Sequence, residues 1–262
     1  VVDALVKGLK EHGGSLRTGV TVRSLLLDGD RVVGVELQNG EQISAQRVVS
    51  NADIWSTLAM LPDGAAEAWQ RQRVETPRCN SFLHLHLGFD ASGLAPLPIH
   101  TVWVDDWNRG IAAERNVVVL SVPSVLDASM APAGRHVLHG YTPASEPWSL
   151  WREHTRGTPA YDALKQERCE VFWRVLERTI PDIRDRCDLV MEGTPLTHSH
   201  FLHVSEGSYG PALSAAKGLF PGVTTPLENL WLCGASTFPG IGIPPVAASG
   251  AMAAHAILGG QA

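Results

Sequence analysis

The chain has 262 residues, 44% of them hydrophobic and 18% charged, which excludes a disordered polypeptide and leaves room for one large domain or two modest ones. A formal charge of −6, with no run of Lys or Arg, excludes nucleic acid as a partner, because a phosphate-binding surface needs clustered positive charge. No stretch reaches the roughly 18–20 uninterrupted apolar residues of a membrane-spanning helix. The longest apolar run, Val117 to Leu126, is broken by Ser121, Pro123 and Ser124. The first residues lack a basic segment followed by an apolar one, so no secretory signal is expected. Cys79, Cys169, Cys187 and Cys233 are widely spaced and form no C-x-x-C pair, which predicts reduced thiols rather than a zinc site or a disulfide framework.

Val2, Leu5, Val6 and Leu9 recur at helical spacing and predict an opening helix stopped by Gly13-Gly14. No Ser, Thr, Asp or Asn caps its first turn, so the chain is expected to be the C-terminal part of a longer protein. Residues 15–50 predict a three-stranded antiparallel meander. Its strands hold Val20 to Leu27, Val32 to Leu37 and Ile43 to Val49, with turns at Asp28-Gly29-Asp30 and at Asn39-Gly40, the latter as a type I′ turn. A short helix is predicted over Ala65 to Arg73. From Phe82 to Phe89 the residues alternate, Leu83, Leu85, Leu87 and Phe89 on one face and Phe82, His84 and His86 on the other. Further strands are predicted near 101–104, 117–122 and 137–141. Thr158-Pro159 reads as a cap followed by Pro at the first helical position of a helix to residue 179, with Glu167, Arg168 and Arg174 on its solvated face.

The segment that carries chemistry is LWLCGASTFPGIGIPPVAASGAMAAHAIL, residues 230–258. An apolar strand runs into a glycine-rich turn and then a helix begun by Pro244-Pro245. Glycines let backbone N–H groups approach a ligand, and a helix N-terminus offers partial positive charge. Ala247, Ala248, Gly250, Ala251 and Ala254 form a small face suited to close packing against a sheet or a flat ring. Gly240-Ile241-Gly242 lacks the third glycine and following acid of the dinucleotide fingerprint. On the residues alone, a cofactor site and a tight strand–helix corner are equally supported.

Gly234-x-Ser236-Thr237-x-Pro239-Gly240-x-Gly242 with the small-residue helix resembles the C-terminal flavin motif of carotenoid desaturases and isomerases. VVSNADIWSTL (48–58), SFLHLHLGF (81–89), VLSVPSVLDASMAPAGRHVLHGYTP (119–143) and GTPLTHSHFLHVSEGSYGP (193–211) are similar to the carotenoid isomerase branch of plants and cyanobacteria. The resemblance implies an α/β fold: a partial, Rossmann-like FAD-binding domain, its strand–GxGxxG–helix half missing, with an inserted α+β substrate domain. It implies an FAD-binding portion at 1–60, a substrate-binding domain at 61–227 and the closing portion of the FAD domain at 228–262. Val22, Asn51 and Ala52 would lie at the adenosine end of FAD. Gly234, Ala235, Ser236 and Thr237, with Gly240, would run along its pyrophosphate and ribityl chain, and Gly242, Ile243 and Pro244 would approach the flavin ring. Ala235 stands where the family has an acidic residue, which removes one hydrogen bond to the cofactor chain.

The activity implied is isomerisation of poly-cis C40 carotenes, of the tetra-cis-lycopene type, to all-trans forms with reduced FAD. The alternatives are a phytoene-type desaturase and a non-catalytic polyene-binding remnant. An apolar C40 carotenoid is the implied partner, with peripheral membrane contact, in a cytoplasmic or plastid setting. No catalytic acid or base is assigned. Trp103 and Trp107 are candidates for a substrate tunnel or a membrane-facing rim. His84 with His86, and His198, His200 and His203, are weighed as metal ligands and set aside, since neither group is completed by a carboxylate or Cys at a recognised spacing; no metal is expected. The absence of a G-x-S-x-G elbow excludes the α/β-hydrolase arrangement.

Overall fold

In the computed structural model, which describes residues 1–214, 216 and 220–259, the chain is a mixed α/β protein built on three sheets. It opens with helix α1 (Val2–Glu11), followed by strands β1 (Val22–Asp28), β2 (Arg31–Leu37) and β3 (Gln42–Ser44), which pair antiparallel as a meander. The β2–β3 connection is not the expected type I′ turn. Gly40 takes φ 86° but Asn39 does not take positive φ, and Gly40 N–H donates to Leu37 O while Leu37 N–H donates to Glu41 O. That pattern is the three-residue hairpin loop, a type I turn closed by a left-handed glycine.

The third predicted strand is in fact two. After β3 the chain leaves the meander, and β4 (Val48–Ser50) pairs parallel with β10 (Leu230–Leu232), in register Val48 to Leu230 and Ser50 to Leu232. Periodicity does not reveal this, because both pieces are only three residues long and the break at residues 45–47 carries no Gly or Pro. Helices α2 (Ile54–Ala59) and α3 (Glu67–Val74) follow. Asp53 caps α2 by accepting from Ser56 N–H at 2.7 Å. Leu25, Val32, Ile54, Trp55, Leu58, Leu61, Leu227, Leu230 and Leu232 form one core, so residues 25–61 and 227–232 pack together although about 165 residues separate them.

The second core belongs to a five-stranded antiparallel sheet, order β6-β7-β8-β5-β9, made of β5 (His84–Asp90), β6 (His100–Val104), β7 (Val117–Ser121), β8 (Arg135–Tyr141) and β9 (Cys187–Gly193). The alternation read from the sequence sets its faces: Leu83, Leu85, Leu87 and Phe89 are all 2% exposed or less. Helix α4 (Pro159–Leu176) packs over this face with Cys169, Phe172 and Leu176, each Leu or Phe so buried contributing about 1.5–3 kcal/mol. Thr158 caps α4 as expected. Arg168, expected on the solvated face, is instead buried: it forms a two-bond fork to the fully buried Glu146, at 2.9 and 2.8 Å, and reaches Glu114 at 2.9 Å. Helix α5 (Ile183–Arg186) leads into β9, and α6 (Pro195–Leu202) begins at a Thr194–Thr197 capping box. The last helix, α7 (Ile243–Gly259), starts at the glycine-rich turn.

Two helices face outward. The apolar stripe of α1 is largely exposed, with Val2 72% and Leu5 69% exposed and no buried residue among the ten. On α7 only Ser249 and Ala253 are buried. The small face expected to pack closely is turned to solvent at Ala247, Ala248, Ala251 and Ala254.

Candidate functional site

The glycine-rich turn continues the parallel β4–β10 pair. Cys233 N–H donates to Ser50 O, which carries the ladder one residue past β10. At Gly234 the backbone reverses with φ 96°, and a Cβ there would stand 2.5 Å from Asn51 Oδ1, so only glycine lets the two segments approach. Gly234 N–H donates to the buried Ser249 Oγ at 2.8 Å, and that hydroxyl donates to Val246 O, tying the turn to the first turns of α7. Ser236 Oγ, also buried, accepts from Ile54 N–H at 3.1 Å. Asp53 joins a third segment by accepting from Ser205 N–H at 2.6 Å. Residues 51–54, 205–208 and 234–237, far apart in sequence, thus meet around one point.

The structure brings Asn51 and Ala52 together with Gly234 to Thr237, and Gly240 and Gly242, at φ 116° and 113°, carry the turn to Ile243 and Pro244 at the start of α7. Val22 does not join them: it opens β1, opposite Leu37 in the meander. Ala235 is half-buried and lines an adjoining cavity. Thr237 is 1% exposed, and its hydroxyl has no hydrogen-bond partner among the described residues. A buried hydroxyl left unpaired costs roughly 1–3 kcal/mol, so an added acceptor or donor at this turn satisfies a group the protein leaves open. With the N-terminus of α7 beside it, the turn fits the anionic chain of a dinucleotide cofactor.

The adjoining cavity, of about 480 Å³, lies between this turn and the solvent-side face of the five-stranded sheet. Phe82, Tyr141 and Tyr209 wall it on one side, and Ile241, Ile243 and Val246 on the other. Phe82 packs edge-on to Tyr209, ring centres 4.4 Å apart. The aromatics considered from sequence are elsewhere: Trp103 stacks under Arg178 at 4.2 Å, and Trp107 is exposed. Sequence reasoning missed Tyr141 and Tyr209, and the only available signal was the strand alternation that puts Tyr141 opposite His84.

The polar wall is histidine. His84 Nδ1 and His139 Nε2 are 2.8 Å apart, His86 stacks on His139 with ring centres 4.5 Å apart, and His198 meets His84 edge-on at 4.9 Å. Ser81 Oγ donates to Gly207 O at 2.6 Å, which leaves it to accept from His198 Nδ1 at 3.0 Å. Burial, reinforced by the neighbouring imidazoles, pulls His84 down to about 3. Burial also lowers His86, His139 and His198, so the group is uncharged at neutral pH. A second cavity of about 710 Å³ lies on the far side of the same imidazoles. Of the histidines weighed from sequence, His198 joins His84 and His86; His200 is exposed against Phe201, and His203 is exposed at the end of α6. His139, which completes the group, was missed. All four cysteines are free, and no helix is long and apolar enough to cross a membrane among the described residues.

Residues 1–258 match the family described as flavin containing amine oxidoreductase. The chain is 34% identical over 271 aligned residues to the chloroplastic prolycopene isomerase of Arabidopsis thaliana, covering 98% of this chain and 44% of that protein. It is 25% identical to a neurosporene-forming phytoene desaturase of Rhodobacter capsulatus, over 98% of this chain and 52% of the relative. The chain thus spans about half the length of the curated relatives it matches. Among solved structures it resembles an oxidoreductase from Methanosarcina mazei (TM-score 0.57, 16% identity, 98% of this chain and 53% of that one). It also resembles cyclohexylamine oxidase from Brevibacterium oxydans (TM-score 0.56, 16% identity, 95% and 50%). These two likenesses show the fold.

Proposed function

The chain belongs to the flavin containing amine oxidoreductase family, and from that premise we propose that it is the C-terminal portion of an FAD-dependent carotenoid isomerase acting on poly-cis-carotenes. The observation that carries the reading is the apolar cavity of about 480 Å³ between the sheet face and the turn, closed on the turn side by Ala235, Ile241, Gly242 and Ile243. A polyene offers no hydrogen bonds, so its site is walled by apolar and aromatic groups with any polar neighbours uncharged, as the buried imidazoles here are. Phe201, Leu202, Tyr209 and Ile243, exposed at the cavity mouths, form an apolar rim suited to taking a substrate from lipid.

In this reading residues 1–60 and 228–262 form the cofactor portion and residues 61–227 the substrate portion, and the core shared by residues 25–61 and 227–232 supports the division. Asn51, Ala52 and the Gly234–Thr237 backbone hold the cofactor chain, with the Thr237 hydroxyl gaining its missing partner there. Gly242, Ile243 and Pro244, at the start of α7, would be the residues nearest a bound ring, to which the helix N-terminus would offer partial positive charge of about half a unit. Reduced flavin, when bound, supplies the electron density that lowers the order of a polyene double bond so that it rotates. The chain's own part is to hold the polyene beside the turn and to exclude water.

The test is to assay the complete, flavin-loaded protein anaerobically on a poly-cis-carotene with reduced and with oxidised FAD. All-trans product of unchanged hydrogen count, formed only with reduced flavin, is expected. Loss of hydrogen from the substrate coupled to an electron acceptor overturns it in favour of a desaturase, the reading that the similarity to phytoene desaturases favours.

A further inference from the structure

The imidazoles that serve the polyene reading only as an uncharged wall are arranged for a different role, and we propose that His84, His86 and His139 bind a divalent first-row transition cation of the zinc class. The two-residue period of β5 places His84 and His86 on one face of the sheet. The antiparallel register places His139 of β8 directly opposite His86. One nitrogen from each of the three rings lies within 4.8 Å of the other two. Tetrahedral zinc with Zn–N bonds of about 2.0–2.1 Å needs ligand nitrogens about 3.4 Å apart. The present spacings run from 2.8 Å between His84 Nδ1 and His139 Nε2 to no more than 4.8 Å, so binding replaces the hydrogen bond between those two nitrogens and turns the near-parallel rings until their lone pairs converge on the cation.

Two features support binding over mere packing. The ligands stand on a hydrogen-bonded sheet whose other face is the buried Leu85, Leu87 and Leu138 layer, so their backbones are fixed before a cation arrives. His86 is exposed to the cavity of about 710 Å³, which provides an entry path and leaves a fourth position for water. Three imidazoles with one open position are a ligand set that zinc accepts.

The test uses the untagged full chain stripped with a chelator, titrated with Zn²⁺ by calorimetry and with Co²⁺ by visible absorption, and needs neither flavin nor polyene. One cation per chain is expected, with the intense visible bands of four-coordinate cobalt. His86→Gln and His139→Gln are each expected to weaken binding by about tenfold or more. His200→Gln, an exposed histidine outside the group, is expected to leave it unchanged. His86 is on the surface, so its variant folds even if the His139 variant does not. Absence of saturable binding, or His86→Gln binding as wild type does, or His200→Gln losing as much, overturns the proposal.

Discussion

Gly234 shows how much one position decides. Its φ of 96° lies where an L side chain is strained, and the Asn51 side chain fills the place of any Cβ. Gly234→Ala is expected to cost about 1–3 kcal/mol, read by urea denaturation of the chain. Asn51→Ala in the same background is expected to recover only part of this, because it relieves the contact and leaves the backbone strain. Full recovery would show that the clash alone mattered. The glycine pattern made this turn legible in the sequence. The residues that pin it, Ser249 and Ser236, were not, because a serine on a helix or in a loop carries no signal of what its hydroxyl meets. His139 was missed for a related reason: its partners lie 53 and 55 residues away, and only strand pairing brings them together.

At the scale of an element, α4 is the instructive case. Its length, cap and apolar spacing follow from local sequence, yet Arg168 belongs to the core. Both bonds of its fork end on Glu146, whose carboxylate also accepts from Trp151 Nε1 at 2.8 Å. Removing Glu146 leaves the buried Arg168 only the half-exposed Glu114 at 2.9 Å, with the inner side of its guanidinium uncompensated. Glu146→Ala is therefore expected to destabilise the chain by about 3–5 kcal/mol in chemical denaturation. Glu146→Ala with Arg168→Met is expected to be less damaging than Glu146→Ala alone, because no buried charge is left unpaired. A double variant at least as unstable as the single one would mean the pair contributes through its contacts with the surrounding side chains. The split of the predicted third strand into β3 and β4 belongs here too: one piece completes the meander and the next starts a parallel pair whose partner, β10, is about 180 residues on.

Across the whole molecule, residues 25–61 and 227–232 share a core while the segment between them builds its own sheet, and the apolar cavity lies between that sheet and the glycine-rich turn. The outward faces of α1 and α7 make no compensating contact among the described residues. Leu5→Glu in the 262-residue chain is expected to change stability by less than about 0.5 kcal/mol while reducing self-association, measured by light scattering after size-exclusion chromatography. A large loss of stability would instead show that the α1 stripe is buried in solution.

The sequence by itself determined most of the elements and the glycine-rich turn, because helix caps, strand alternation and glycine spacing are local properties that backbone sterics and hydrogen bonding read directly. It also carried the family, through motifs spread over most of the chain. Tertiary structure alone decided that His139 and His198 join His84 and His86, which arginine is buried, and that Asn51 meets the turn. These depend on strand register and on the packing of segments up to about 180 residues apart. No local pattern encodes such contacts, because they are selected by the burial energy of the assembled fold.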